Sequence, residues 1–551
     1  MTGEQPGALD ERFEALVRER FDSVMARFPV FATYLGIAEH DHRLADGSRE
    51  AAEQDLLDSR RFLVQLEALE PERLSPLNLV ERELALLATR QQIFDDDVHR
   101  LWERRVSAAD ELGDGVFLLF SRGSRPMAQR LEAIGSRLEA APRLIAEQRA
   151  RLGPHPVRLW NELELEAVRS LPSLFTEVAA AAAGEFGQDH HETVRIRSAA
   201  QDAARSLDEY AGWIEEQLGS AGNDFALGPE RYAELIGLRA FDGLDTQAIL
   251  EIGEQQLAEN RAARRSVAAE IDAQATEQEV LERVKADQPA DFESALETYR
   301  RAMAEARAFV VEHDIASLPP GEDLEIIATP EYLRSVMPFA AYFTPPKFEP
   351  GAKGIYIVTP SVDGDPRAMR EHNYASIYNT SIHEAYPGHH QQLTAAMQHP
   401  SLVRLLLDAP EFVEGWAMYC EQMMREQGFD DGPERRLMMY TDAIWRACRI
   451  VLDVKLHLGQ IGTAEATDYL VEQTGFERPN AAAEVNRYTY TPTYQLSYLL
   501  GKVLLLRLRS DEQARLGDRF SLKGFHDALL GQGSLPISFQ RRLLQEEPAD
   551  A

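Results

Sequence analysis

Pro387 lies four residues beyond His383 in the stretch His383-Glu384-Ala385-Tyr386-Pro387-Gly388-His389-His390, and no other residue restricts the folding of this chain as sharply. A proline carries no N–H, and its ring pushes against the carbonyl four residues back, here that of His383 itself. Gly388 then opens backbone angles closed to other residues. An unbroken helix through 383–390 is therefore opposed twice over. On such a helix the six residues from His383 to His389 would rise about 9 Å, too far for two imidazoles to share one ion comfortably. A kink or bulge at Pro387-Gly388 is expected instead, swinging His389 or His390 round to meet His383.

The residue types around this break are those of a metal site. Five of the 14 histidines, His372, His383, His389, His390 and His399, fall between residues 372 and 399. The usual helical zinc motif places histidines at i and i+4 with glutamate at i+1. His383 and Glu384 supply its first half, and Pro387 stands where the second histidine would be. A third donor is expected from Glu414 in Glu414-Gly415-Trp416-Ala417. The interval 414 − 389 = 25 leaves room for the rest of a helix, a turn at 408–410 and an antiparallel return. Glu411 is the alternative, nearer the helix start, where a carboxylate answers the helix dipole. Two imidazoles and a carboxylate make up the protein's share of a catalytic Zn²⁺ shell, with one position open for water. Glu384, left over, fits a general base acting on that water. A lone histidine would read as a surface residue and a lone Glu414 as a cap; the combination reads as metal.

Composition narrows the class. With 551 residues, 44% hydrophobic and 27% charged, the chain can bury a large core in two or more lobes. Its net charge of −33 opposes a nucleic-acid surface, which needs clustered Lys and Arg. Cys420 and Cys448, both in helical, partly apolar contexts, are expected as buried free thiols. The opening MTGEQPGALDERFEALVRER lacks a basic segment followed by an apolar one, and VLLLRLR at 503–509 is too short and too charged to span a bilayer. A cytoplasmic protein with no membrane partner is expected; oligomeric state is left open.

Apolar spacing predicts helices over 53–69, 80–104, 126–150, 193–219, 245–273, 291–312, 434–459 and 494–509, with Asp245 as an N-cap. Strand signals are confined to LEIIAT (324–329) and GIYIVTP (354–360), just upstream of the histidines. A boundary near 315–325 is expected to separate a helical lobe, 1–320, from a lobe carrying the chemistry, 321–551. No Gly-rich phosphate loop and no GxSxG elbow is present. His190-His191 reads as a solvated loop and His526 as support for a helix end.

At HEAYPGH and EGWA the sequence resembles the bacterial DUF885 proteins, a family placed among gluzincin-like metallopeptidases, whose pattern is H-E-x-x-P-G-H followed by E-G-W-A. FPVFATYLGIAEHDHRLADGS (28–48), GNDFALGPERY (222–232), GIYIVTP, RIVLDVKLH (449–457), EVNRYTYTPTYQLSYLLGK (484–502) and FHDALLGQGSLP (525–536) are also similar to family segments, so the likeness covers nearly the whole chain. It implies a mainly α, elongated zincin-like fold with a deep central cleft, akin to carboxypeptidase Taq and angiotensin-converting enzyme, with a small β-sheet near the metal helix. It also implies His389 rather than His390 as ligand, because the pattern ends at the first of the two.

The function expected is a zinc peptidase acting on short peptides, with one Zn²⁺ on His383, His389 and Glu414 and with Glu384 moving the proton. Candidates to donate to the oxyanion are Tyr490, Tyr494, Tyr498 and His457. Arg449, Asp453 and His457 recur at i, i+4 and i+8. They form either an Arg449–Asp453 ion pair with an unrelated histidine, or part of a site in which Arg449 or Arg487 grips a substrate carboxylate, with Tyr490 a further substrate contact. The last arrangement would give a carboxypeptidase or dipeptidase. Alternatives are a zinc hydrolase of another amide or ester, and a non-catalytic metal- or peptide-binding scaffold.

Overall fold

Helical periodicity translates into helices along nearly the whole chain. The computed structural model describes residues 7–122, 125–329, 340–349, 351–360 and 368–546. The expected windows appear as Arg49–Glu67, Met127–Arg151, His191–Leu218, Thr246–Ile271, Phe292–Glu312 and Pro433–His457. Asp245 caps its helix by accepting from the Ala248 N–H. The window 80–104 holds only in part. Its helix, Pro76–Phe94, widens into a π-helical turn at Asp95–His99 and breaks at Arg100, whose φ is 53°. Three successive aspartates, poor helix formers, occupy that turn. The window 494–509 opens as a 3₁₀ turn, Tyr494–Leu496, and runs on as Ser497–Leu516.

The sheet has three strands, β1 (Leu324–Ala328), β2 (Ala340–Phe343) and β3 (Gly354–Val358), in the order β1-β3-β2. β3 pairs parallel with β1, Ile326 opposite Tyr356, and antiparallel with β2, Tyr342 opposite Tyr356. The two apolar runs are strands as expected. β2 was not foreseen, because AAYF is short and has no alternation to betray it.

The expected division near 320 does not separate two cores. The largest core joins Phe94, Trp160 and Tyr299 to Trp416, Cys448 and Leu504. The core of the first helices likewise takes in Val403, Leu407 and Leu535. Apolar faces from both stretches bury one another. Cys420 and Cys448 are free and fully buried in it. Among the described residues no helix is long and apolar enough to cross a membrane.

Two helix pairs position the site. Tyr374–Glu384 packs against Phe292–Glu312, Pro410–Glu426 and Pro433–His457. Pro410–Glu426 lies along Ser497–Leu516, where Gly415 and Gly501 meet so closely that a Cβ on Gly501 would stand 2.0 Å from the Glu411 carbonyl oxygen.

Candidate metal centre

The break at Pro387 is complete. The first helix ends at Glu384, the Tyr386–Pro387 peptide is cis, and a new helix, His389–Gln398, starts directly after Gly388. Gly388 is required there, since a Cβ would lie 1.9 Å from the His383 carbonyl oxygen. The result is a sharp turn rather than a bulge within one helix. It brings the His383 and His389 rings to 4.8 Å between centroids, at 85° to each other.

Glu414, on the second turn of Pro410–Glu426, completes the group. Its Oε2 is 3.3 Å from His389 Nε2 and 3.8 Å from His383 Nε2. One donor atom from each of the three residues lies within 4.8 Å of the others. Donors at about 2.1 Å from a tetrahedral ion stand about 3.4 Å apart, a spacing that the two Glu414–histidine separations already approach. Trp416, fully buried, locks the two motifs together by donating its Nε1–H to the Pro387 carbonyl at 2.8 Å.

Glu421 was not foreseen. It follows Glu414 by two helical turns on the same face, and its Oε1 accepts from His383 Nδ1 at 2.7 Å. That bond places a proton on Nδ1 and turns Nε2 toward Glu414, so Nε2 is the nitrogen whose proton a metal would replace, the arrangement in which a carboxylate orients a metal-binding imidazole. Asn379, one turn before His383, donates to Glu421 at 3.1 Å and accepts from Arg425 at 3.0 Å. The signal for this outer layer was helical spacing: 379/383, 414/421 and 421/425 each share a face.

Charge balance points the same way. Burial opposes the charged form of His383, but the hydrogen bond and charge of Glu421, with Glu384 and Glu414 nearby, outweigh it and raise the imidazole to about 9. Burial would raise Glu414, yet His389 and His383 hold it down at about 2. Three carboxylates thus face two imidazoles, an excess of negative charge that a cation would answer. His389 is held less firmly, for its Nδ1 is buried without a partner among the described residues.

Glu384 ends its helix half-buried, and its carboxylate has no hydrogen-bond partner among the described residues. Its charge adds to burial in raising the phenols of Tyr299, Tyr342 and Tyr356, as it adds to raising His383. His390 points away from the group, with Nε2 3.0 Å from Glu322 and Nδ1 3.0 Å from the Tyr342 hydroxyl. His372 bonds Tyr299, and His399 meets the Ser401 N–H. Glu411 is 1% exposed in the first helical turn, raised by burial to about 8, and lies outside the donor group.

Of the residues expected to complete the site, Tyr494 is brought in: its hydroxyl donates to Glu414 Oε1 at 3.1 Å. Burial and the Glu414 charge raise its pKa, so it remains a protonated donor. Tyr498 lies next to it, ring centroids 6.0 Å apart. Tyr490 stands further along, under the Arg105 guanidinium, and with Tyr494 lines a cavity of about 480 Å³.

Three expectations are corrected. His457 is fully buried, its Nε2 on the Tyr488 carbonyl and its ring stacked on Tyr232; burial lowers it to about 4, so it is neutral and structural rather than an oxyanion donor. Arg449 and Arg487 both turn to Glu484, at 3.1 and 2.9 Å, and Arg449 lies over Trp445 and Tyr498. Arg449 is buried with its fork on Tyr488 and Glu484, while Arg487 gives one arm to Glu484; both answer that carboxylate instead of converging on the metal group. Nor does Arg449 pair with Asp453, which instead accepts from Tyr232 and from the Thr493 N–H. His526 is likewise structural, bonded to the Ile315 carbonyl and the Tyr419 hydroxyl.

The chain matches, over residues 29–544, the family model described as "Bacterial protein of unknown function (DUF885)", and it belongs to that family. Two solved structures share its fold. One is described as a candidate lipoprotein of unknown function from Shewanella oneidensis: 22% identical, TM-score 0.79, covering 97% of this chain and 100% of that one. The other is a candidate lipoprotein from Colwellia psychrerythraea: 18% identical, TM-score 0.83, covering 98% of each chain. No curated protein matches.

Proposed function

We propose that this protein is a zinc-dependent hydrolase of short peptides, carboxypeptidase- or dipeptidase-like, on an elongated zincin-type helical scaffold. The observation that carries this reading is the convergence of His383, His389 and Glu414 on one point, with Glu384 next to His383 in the chain and without a hydrogen-bond partner among the described residues. A Zn²⁺ bound there supplies Lewis acidity and makes water a nucleophile near neutral pH. Glu384 takes the proton from the attacking water and passes it to the leaving amine. Glu421 fixes the tautomer of His383, and Tyr494, whose hydroxyl here donates to Glu414, would have to turn that O–H to the oxygen on which charge develops. A binding scaffold would have no use for an uncommitted carboxylate at the position of Glu384.

The test is turnover of a mixed dipeptide and oligopeptide library by the full chain, before and after chelation and with zinc restored. Peptide cleavage lost on chelation and regained with zinc is expected. Cleavage only of ester or non-peptide amide substrates would move the same metal chemistry to another substrate class. Full activity after the metal is removed would end the metal reading.

A further inference from the structure

The cavity beyond Tyr494 contains one cationic group, Arg151, that no carboxylate among the described residues pairs with. Arg151 is 8% exposed, its Nε is buried without a partner, and no carboxylate stands within ion-pairing distance of it among the described residues. Burial lowers its pKa, opposed only by the more distant charge of Glu111 and by Tyr210. A buried guanidinium without a counter-ion is costly and marks a position prepared for an anion. Arg105 shares the same wall, one arm on Asp110 at 2.5 Å and its Nε again buried and unpartnered. His99, 4% exposed, adds an unpartnered Nε2.

The same cavity is also lined by acids. Asp408 is held by Arg239 at 2.8 Å, while Asp95 and Asp96 come from the π-helical turn. Their presence disfavours a dianion such as phosphate and suits a ligand carrying a single negative charge. The volume, about 480 Å³, is that of a small-molecule site. Tyr494, which lines it, donates to Glu414 of the metal triad and is the residue that the cavity and the metal group share.

We propose that Arg151, with Arg105 beside it, receives the C-terminal carboxylate of the peptide substrate. The proposal rests on the peptidase reading and assigns to these residues the role that the sequence suggested for Arg449 or Arg487, both of which turn to Glu484. It makes the enzyme one that acts at a free C-terminus.

The experiment compares acetylated dipeptides ending in a free acid with the same dipeptides ending in an amide, by turnover and by calorimetric binding to the full chain. The wild type is expected to favour the acid by about tenfold or more, as a charge-assisted pairing would. In Arg151→Met that ratio falls toward one, and in Arg105→Met it falls in part, with the melting temperature of each variant recorded as the check on folding. If Arg151→Met does not fold, the decision passes to Arg105→Met and to the wild-type ratio. Equal turnover of acid and amide by the wild type overturns the proposal and leaves the peptidase reading standing. Acid-selective binding that depends on Arg151 but comes without turnover supports the carboxylate site and removes the peptidase reading. Failure to bind either peptide, or an equal loss for both in Arg151→Met, overturns the proposal.

Discussion

Glu421 has the clearest consequence of any single residue. It touches neither Glu414 nor His389 in the donor group, yet it sets which nitrogen of His383 carries the proton. Removing a partner of this kind typically costs 10- to 100-fold in metal affinity. Glu421→Ala is expected to weaken zinc binding by about that factor, and Glu421→Gln by less, since an amide oxygen still accepts from Nδ1. Competition against a chromophoric chelator gives both constants, and equal affinity in all three proteins would show that Glu421 is only a buried ion-pair partner. Glu384→Gln should behave oppositely: zinc affinity is kept while turnover falls by about 100-fold or more. Unchanged turnover in that variant would remove Glu384 as the base.

The helix pair Pro410–Glu426 and Ser497–Leu516 shows why the EGWA motif contains a glycine. Gly415 and Gly501 let the two backbones approach until a Cβ on Gly415 would stand 2.6 Å from Gly501. Gly501→Ala must push the helices apart, at about 1–3 kcal/mol. It also shifts Trp416 against Pro387 and should therefore lower zinc affinity as well as the urea midpoint. Gly184→Ala, in a helix with open space around it, is the control, expected to stabilise by about 0.5–1 kcal/mol. A Gly501→Ala protein as stable as the wild type would mean that the contact yields easily.

At this scale the sequence was readable where local chemistry decides. Pro387-Gly388 announced the break, Asp245 its cap, and spacing the long helices. It was silent where partners come from afar. Nothing in Arg449 or Arg487 says that Glu484 lies across from them, and nothing in Arg151 says that no acid among the described residues pairs with it. The His389/His390 choice turns on Tyr342 and Glu322, residues of the sheet and the approach to it.

Across the whole molecule, buried acids tie stability to pH. Glu164 is fully buried, accepts from the Ala109 N–H at 2.8 Å, and is raised from 4.5 to about 8, first by burial and then by the charge of Asp110, against weaker help from Arg105 and Tyr210. In the unfolded chain this carboxyl ionises near 4.5, whereas in the folded protein it keeps its proton until about 8. The folded state therefore holds more protons between these values. Its contribution is complete below 4.5 and declines as pH rises, at about 1.4 kcal/mol per unit, until the folded group ionises. Glu164→Gln keeps the acceptor for Ala109 without the ionisation. Its stability relative to the wild type should thus grow steadily from pH 5 to pH 8, whatever the other acids of this strongly negative chain do, because they are common to both proteins. Urea unfolding of the pair at pH 5.5, 6.5 and 7.5 measures the difference. A constant offset would mean that Glu164 is already ionised in the fold, and that Arg105, shared between Asp110 and the cavity wall, feels a second negative charge at its back.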